Sequence, residues 1–478
     1  MMMSVHRLLG TAISIFFLMW FITGLVLVYK SFPNISKAEK YDKLETLSGQ
    51  TADIQEIIAR IPAGSNIQDI NIKQFQGQTL YTLKTKDSTY VMCADTTQNV
   101  KPIDHNAIQS VIKRWIDAPV VKIDTLHKRD QWIMYSSYKR KMPIYKYQFD
   151  DDAKHQLYIA ANTAEVLQLT NKNERLWAYI GAIPHKLYFP ILRRNTSAWI
   201  HTLTTFGIIL LIVSITGFYI GIKISRKRYK TTRQLNSPYR KRTYRWHHIG
   251  GLIFGIFIIT WSISAAMALQ RVPQCIVKTH NNIRINSKKI RGKHLSIDKY
   301  ALDYRTLFQT YNNIKEISWN HYQDTPIYTI TTGDKIKHID ASTTEPKELY
   351  LQEDQINKTI HKIHGDNVEY SISLINEYDN YYMSLDNDRP LPVYKIEIAD
   401  KDKSTYYINP CTGKHKYVNQ NKRARKWVFS GLHYFNIKYL AEHPVLWTIL
   451  MWVLCLGGIV VTGTGVAIGW SYIKRRFF

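Results

Sequence analysis

The chain is poor in cysteine, in acid and in the turn-formers that mark repetitive architecture. Four cysteines in 478 residues, none spaced as C-x-x-C, exclude a disulfide scaffold and a zinc ribbon. Only 22 glycines and 15 prolines exclude a collagen-like or low-complexity chain. Asp and Glu number 37 against 64 Lys and Arg, a net charge of +27. That excess suits an anionic partner, either nucleic acid or an anionic membrane surface. Mean hydropathy is slightly negative, so membrane does not surround most of the chain. Yet 12 Trp, 32 Tyr and 16 Phe are too many for a disordered basic tail. At about 100–200 residues per domain the length allows two to four domains.

Charge is absent altogether from residues 8–29, 200–222, 249–270 and 444–473. Each stretch reaches the roughly 20 residues that a membrane-crossing helix needs. The first is longer than the core of a signal peptide, and no small-x-small cleavage site follows it, so it reads as an uncleaved anchor. Residues 223–245 hold ten Lys and Arg and no acid; the chain ends Lys474, Arg475, Arg476, and Arg7 precedes the first stretch. If all four stretches cross, these basic segments share one side, the cytoplasm by the positive-inside rule. The expected organisation is spans at 1–29, 199–222, 246–270 and 444–473, outside domains at 30–198 and 271–443, a cytoplasmic loop at 223–245 and a cytoplasmic tail at 474–478. The basic loop reads as a topology signal beside anionic lipid. No basic patch with stacking aromatics marks a nucleic-acid-binding fold, so nucleic acid is not an expected partner.

The stretches repeat. A shift of 241 residues superposes His6 on His247 and Gly10 on Gly251, and carries Ile22-Thr23-Gly24 onto Ile263-Ser264-Ala265. A shift of 248 carries His185 onto His433, Trp199 onto Trp447 and Thr216-Gly217 onto Thr464-Gly465. The connections match as well: Pro143-Ile-Tyr-Lys with Pro392-Val-Tyr-Lys, and Asp130-Gln-Trp with Asp379-Asn-Tyr. Two parallel halves, each helix–outside domain–helix, imply an approximate two-fold axis along the membrane normal.

The outside connections read as α+β. β-rich pairs around polar turns occur at 80–84 with 89–92, 144–149 with 156–160, 327–332 with 335–340 and 393–399 with 405–409. Helical apolar spacing precedes them at 54–61, 108–116 and 356–363. The pattern predicts four helix–hairpin lobes, two per half. Cys93, Cys275 and Cys411 fall on the oxidising side, where any two of them are candidates for a disulfide. Cys455 falls in a span and reads as packing.

Three segments carry a family resemblance. The first is His6-Arg-Leu-Leu-Gly10 followed by Trp20-Phe-Ile-Thr-Gly24. The second is Asp379 with Tyr381-Tyr382, then Leu391-Pro-Val-Tyr-Lys and Tyr407-Ile-Asn-Pro-Cys-Thr-Gly413. The third is Arg425-Lys-Trp-Val-Phe-Ser-Gly-Leu-His433, then Leu446-Trp447, Gly457-Gly458 and Thr464-Gly465. On these, over essentially its whole length, the chain resembles the PepSY-associated transmembrane helix family of bacterial inner-membrane proteins, often encoded with iron-uptake systems. It departs where Ser264-Ala265 stands for Thr-Gly and where Asn162-Thr-Ala replaces a Thr-Gly turn. The resemblance implies an α-helical membrane bundle with two α+β periplasmic PepSY-like domains. Some members are haem-containing reductases of ferric siderophores. Others carry a fused flavin or NAD(P)H domain, for which no dinucleotide motif is visible here.

Ionisable residues in a span are functional candidates, and neutral imidazole is a strong ligand for haem iron. His6 and His247 open the first and third stretches; His185 and His433 precede the second and fourth on the opposite side. Each pair is repeat-equivalent and so shares a depth. Together with the resemblance, this gives one or two b haems, with His6/His247 and His185/His433 as axial ligands. Gly24, Gly217 and Gly465 would let a porphyrin lie against backbone. His201, just inside the second stretch, is the alternative outer ligand, although its repeat position is Ile449. A histidine at a helix end also serves as a polar cap, the plainer reading for His248 and His443. Asp379, Tyr381 and Tyr382 are candidates for a substrate face; the alternative is that they tie their lobe to the membrane belt, where Tyr is enriched.

The expected function is a transmembrane reductase. It would take electrons from a cytoplasmic donor or a quinol, reduce a periplasmic ferric siderophore or other iron chelate, and release Fe(II). Two other readings stand beside it. One is a non-enzymatic PepSY anchor that inhibits a protease or binds a partner. The other is an iron-chelate permease, although transporters usually bind substrate at interrupted helices, and none is evident in these stretches.

Overall fold

The computed structural model describes residues 1–49, 51–280, 287–292, 295–333, 335–384 and 389–477. Four long helices, Met2–Leu27, Thr196–Thr232, Arg242–Met267 and Pro444–Phe477, are long and apolar enough to cross a membrane. They form one bundle in which the first packs on the second and fourth, and the third on the same two. Ile13, Phe17, Phe21, Leu210, Val213, Ile258 and Val461 fill its interior. Ile15, Ile208, Ile253, Ile256 and Val453 point outward and are exposed, as lipid permits and water does not. Small residues set the close contacts: a Cβ on Gly207 would stand 2.5 Å from the Ala266 backbone nitrogen.

The second helix does not stop at Ile222. Residues 223–232 contain neither Gly nor Pro, and the helix continues through them to Thr232, ending where Arg233 takes φ +53°. The basic connection is therefore helical over its first half. Its remainder folds back on the bundle, with Ser237 Oγ 3.1 Å from His248 Nδ1. Arg7 lies over the Tyr472 ring at 4.8 Å, and Arg475 reaches Tyr244 at 3.4 Å. The three basic segments thus share one end of the bundle.

Fifteen described strands lie between the long helices. The first half carries β1 (Ile67–Phe75), β2 (Gln78–Thr85), β3 (Thr89–Cys93), β4 (Val120–Leu126), β5 (Ile144–Phe149), β6 (Gln156–Ala160) and β7 (Val166–Thr170). The second carries β8 (Ile314–Tyr322), β9 (Thr325–Thr332), β10 (Lys335–Asp340), β11 (Lys347–Glu348), β12 (Tyr370–Ile375), β13 (Val393–Ile398), β14 (Thr405–Ile408) and β15 (His415–Val418). They make three sheets rather than four lobes: β11-β10-β9-β8-β1-β2-β3, β4-β5-β6-β7 and β12-β13-β14-β15. The expected separate N-terminal lobes merge because β1 and β8 pair antiparallel, Ile70 opposite Trp319 and Ile72 opposite Ile317. These side chains, with Tyr81, Leu83, Tyr328 and Ile330, are one buried core.

Each four-stranded sheet has its own helix. In His105–Trp115, capped by Asp104, Ile108, Val111 and Ile112 pack on Tyr147, Phe149, Leu157 and Ile159. In Glu353–His364, Ile356 and Ile360 pack on Tyr394, Ile396, Tyr406 and Ile408. Pro143 and Pro392, which enter β5 and β13, both follow cis peptide bonds. All four cysteines are free, so no disulfide joins Cys93, Cys275 and Cys411: Cys93 is buried in the merged sheet while the other two are exposed. Cys455 is buried in the bundle.

Candidate functional site: two facing histidine pairs

The bundle brings the four histidines together in two pairs. His6 and His247 face each other with ring centroids 6.2 Å apart and planes at 45°. His185 and His433 do so at 6.1 Å and 70°. The pairs lie at opposite ends. His6 is in the first turns of the first helix, while Thr23, the contact of His185, is 17 residues on, about 26 Å at 1.5 Å per residue.

Each ring is held through Nδ1. His6 Nδ1 lies 3.0 Å from the Val213 carbonyl, and His247 Nδ1 lies 2.9 Å from that of Val461. A carbonyl only accepts, so both rings carry their proton on Nδ1, which leaves the Nε2 lone pair free. At the other end the acceptors are hydroxyls: Thr23 Oγ1 at 3.0 Å from His185 Nδ1, and Ser264 Oγ at 2.8 Å from His433 Nδ1. Both hydroxyls give their own proton to a helix carbonyl, Thr23 to Trp20 and Ser264 to Trp261. With their protons so directed they accept from the imidazole, and the tautomer is again Nδ1–H. Burial lowers the His185 pKa to about 3, helped by His433 and Lys186, and lowers that of His433 to about 4. Both rings are neutral, the form that ligates metal.

The chain positions these rings by matched local structure. His185 and His433 sit in short helices that end in left-handed residues two positions on, Leu187 (φ 48°) and Phe435 (φ 50°). A tryptophan in the following long helix ties each turn down: Trp199 Nε1 donates to the Lys186 carbonyl at 2.8 Å and Trp447 Nε1 to that of Tyr434 at 2.7 Å. The second short helix is reached through a π-helical turn, Lys426–Gly431, and Phe429 stacks on His433 at 5.4 Å.

The glycines serve the rings directly. A Cβ on Gly217 would stand 2.5 Å from His6 Cε1; on Gly465, 3.3 Å from His247 Cε1; on Gly24, 3.6 Å from His185 Cε1. These positions make room for imidazoles, where the sequence suggested room for a porphyrin face. His201 is exposed on the outer face of the second helix, and the structure does not bring it to the His185/His433 pair. His248 is buried in a polar knot with Gly221, Ser225 and Ser237. His443 is bonded to the Tyr439 carbonyl at 2.7 Å.

The substrate-face candidates make contacts within their own lobe. Asp379 accepts from the backbone nitrogens of Tyr381 (2.8 Å) and Tyr382 (2.6 Å) and from Tyr407 OH (2.7 Å). Asp130 does the same for Trp132 N (2.9 Å) and Tyr158 OH (2.8 Å) in the first half. Tyr382 is buried and donates to the Pro390 carbonyl. Tyr381 OH receives Trp427 Nε1 at 3.1 Å, joining the turn to the segment that carries His433. Asp379 and Tyr382 are thus turn clamps, and their polar groups are already engaged.

Sequence reasoning missed Thr23, Ser264 and the two valine carbonyls as ring anchors. The signal for the first two was the superposition of Thr23 on Ser264. The carbonyls leave no trace in the sequence.

The residues fit a haem. Each site offers two facing imidazoles, with ring centroids 6.2 and 6.1 Å apart, the donor type that haem iron takes. The Nδ1 bonds are those that second-shell acceptors make to ligating histidine. No group of three or more His, Cys, Asp or Glu that could hold a metal ion occurs among the described residues. Two imidazoles alone suit a metal that brings its own equatorial ligands, as a porphyrin does.

The fold and site define a four-helix, multi-pass membrane protein with paired imidazoles and an α+β outer region. The family model of the PepSY-associated TM region matches residues 3–274, more than half of the chain, and the protein belongs to that family. None of the curated proteins matches it.

Proposed function

We propose that the protein is an inner-membrane reductase that passes electrons from a cytoplasmic donor or a quinol to a ferric chelate, a siderophore, in the periplasm. The observation that carries this is the pair of facing imidazole sets, 6.2 and 6.1 Å between centroids, at opposite ends of one bundle. A b haem bound by His6 and His247, and a second by His185 and His433, would supply one-electron chemistry near each face. The chain's own part is to hold each ring in one tautomer and orientation through Val213, Val461, Thr23 and Ser264. Each ferric ion takes one electron and leaves as Fe(II) for uptake.

In this reading the halves are parallel repeats about an axis along the membrane normal, as the matched anchors suggest. The basic end lies in the cytoplasm, both termini lie there, and the sheets are periplasmic. The basic excess outside the cytoplasmic segments favours an anionic chelate.

The test is reduction of an external ferric chelate by vesicles supplied with an internal reductant, with Fe(II) trapped by a coloured chelator. His185→Ala is expected to lower the rate at least about tenfold, since a ligand lost to a buried metal costs well over about 1.4 kcal/mol. An unchanged rate in this variant contradicts the proposal and leaves an anchor with interaction lobes. Uptake of the redox-inert gallium chelate would point to a permease instead.

A further inference from the structure

Three arginines gather where the first outside domain meets the second long helix, held by carbonyls, a hydroxyl and a tryptophan ring rather than by carboxylates. Arg193 ends the short helix Pro190–Arg193, one turn before Thr196. It is only 8 % exposed, stacked over the Trp199 ring at 4.3 Å, and donates to Thr196 Oγ1 at 3.2 Å. Its Nε is buried without a partner. Arg129 and Arg194 clasp each other's backbone: Arg129 Nη2 donates to the Arg194 carbonyl at 2.8 Å and Arg194 Nε to that of Arg129 at 3.0 Å. Arg129 also donates to Met134 O at 2.7 Å. Burial, then Arg193 and Arg194, hold the Arg129 pKa below its ordinary value.

Burying a cation without a counter-ion is costly, and the other half of the molecule avoids it. The positions equivalent to Arg129, Arg193 and Arg194 are Tyr378, Ala441 and Glu442. The nearby Lys438 is paired with Glu377 at 3.4 Å and Glu442 at 3.7 Å. Among the described residues none of the three arginines has an acidic partner, so one half is neutralised from within and the other is left cationic. The short helix itself is apolar and open: Phe189 at its cap and Ile191 within it are exposed, Ile191 at 88 %. Side chains of that kind, at the end of a membrane-spanning helix, dip into acyl chains below the headgroups.

We propose that Arg129, Arg193 and Arg194 form a binding site for the phosphate of an anionic phospholipid, whose chains cover Ile191 and its apolar neighbours. Arginine matches phosphate oxygens with two N–H bonds at once, and the carbonyl bonds of Arg129 and Arg194 with the Thr196 and Trp199 contacts of Arg193 fix the three guanidinium groups in advance. The inference rests on the membrane embedding alone and not on haem.

The test uses the full chain in nanodiscs of phosphatidylcholine with or without phosphatidylglycerol, followed by native mass spectrometry of retained lipid. Wild type is expected to retain phosphatidylglycerol in preference. The double variant Arg129→Gln/Arg194→Gln, one position half-buried and the other exposed, is expected to retain about tenfold less, one charge-assisted contact or more. Arg194→Lys, which keeps the charge, is expected to fall between them. Equal retention by wild type and double variant overturns the proposal. So does displacement of the lipid by inorganic phosphate alone, or by a soluble ferric chelate, since either would mark a site for a free anion.

Discussion

At the scale of single residues, the central feature is tautomer control. Four histidines are each fixed through Nδ1 to a group that must accept, and so present Nε2. His6→Ala or His247→Ala is expected to halve the haem content, measured as pyridine haemochrome per chain, and to leave the His185/His433 site intact. The glycines give a graded test. Gly217→Ala would put a methyl 2.5 Å from His6 Cε1, and the ring cannot retreat without leaving the Val213 carbonyl. Overpacking of this kind costs about 1–3 kcal/mol, and loss of the inner haem is expected. Gly24→Ala meets His185 at an ordinary 3.6 Å and is expected to keep full haem content. The reverse order in the haemochrome assay would contradict the packing described here. His201→Ala is expected to change neither site.

At the scale of elements, the turn at Asp379 separates support from recognition. Its carboxylate accepts two backbone N–H groups and a tyrosine hydroxyl, and Asp130 repeats the arrangement. Asp379→Ala leaves these donors unmet and is expected to cost about 3 kcal/mol. The readout is a lower melting temperature of the outer region, with chelate affinity per folded protein unchanged. A selective loss of affinity would restore Asp379 to a substrate face. Elements also show what was legible in the sequence. The four spans were plain because charge vanishes from them. The pairs His6/His247 and His185/His433 were plain because a fixed shift superposes their surroundings. The pairing of β1 with β8 was not, since the two strands lie some 250 residues apart, as Asn71 and Ser318 do. Non-local pairing of this kind leaves no local pattern to read. The same holds for β4 and β12, which join hairpins across long connections.

At the scale of the whole molecule, the halves are joined twice, by the bundle and by the β1–β8 seam. Coexpressed fragments 1–235 and 236–478, cut beside the exposed Leu235 (91 %), are therefore expected to copurify in equal amounts, each histidine pair being shared between them. Fragments that separate and still bind haem would show that one half is sufficient. On the proposed topology the +27 charge has two uses: the basic segments gathered at one end of the bundle would orient the chain, and the unpaired arginines at the other would meet lipid. What remains central is the proposal that each end of the bundle holds a haem iron between its two facing imidazoles. The most direct measurement is the absorption spectrum of the purified full chain, expressed with haem supply and quantified as pyridine haemochrome. The expected result is a bis-histidine Soret band with two b haems per chain. A folded, colourless protein would contradict it.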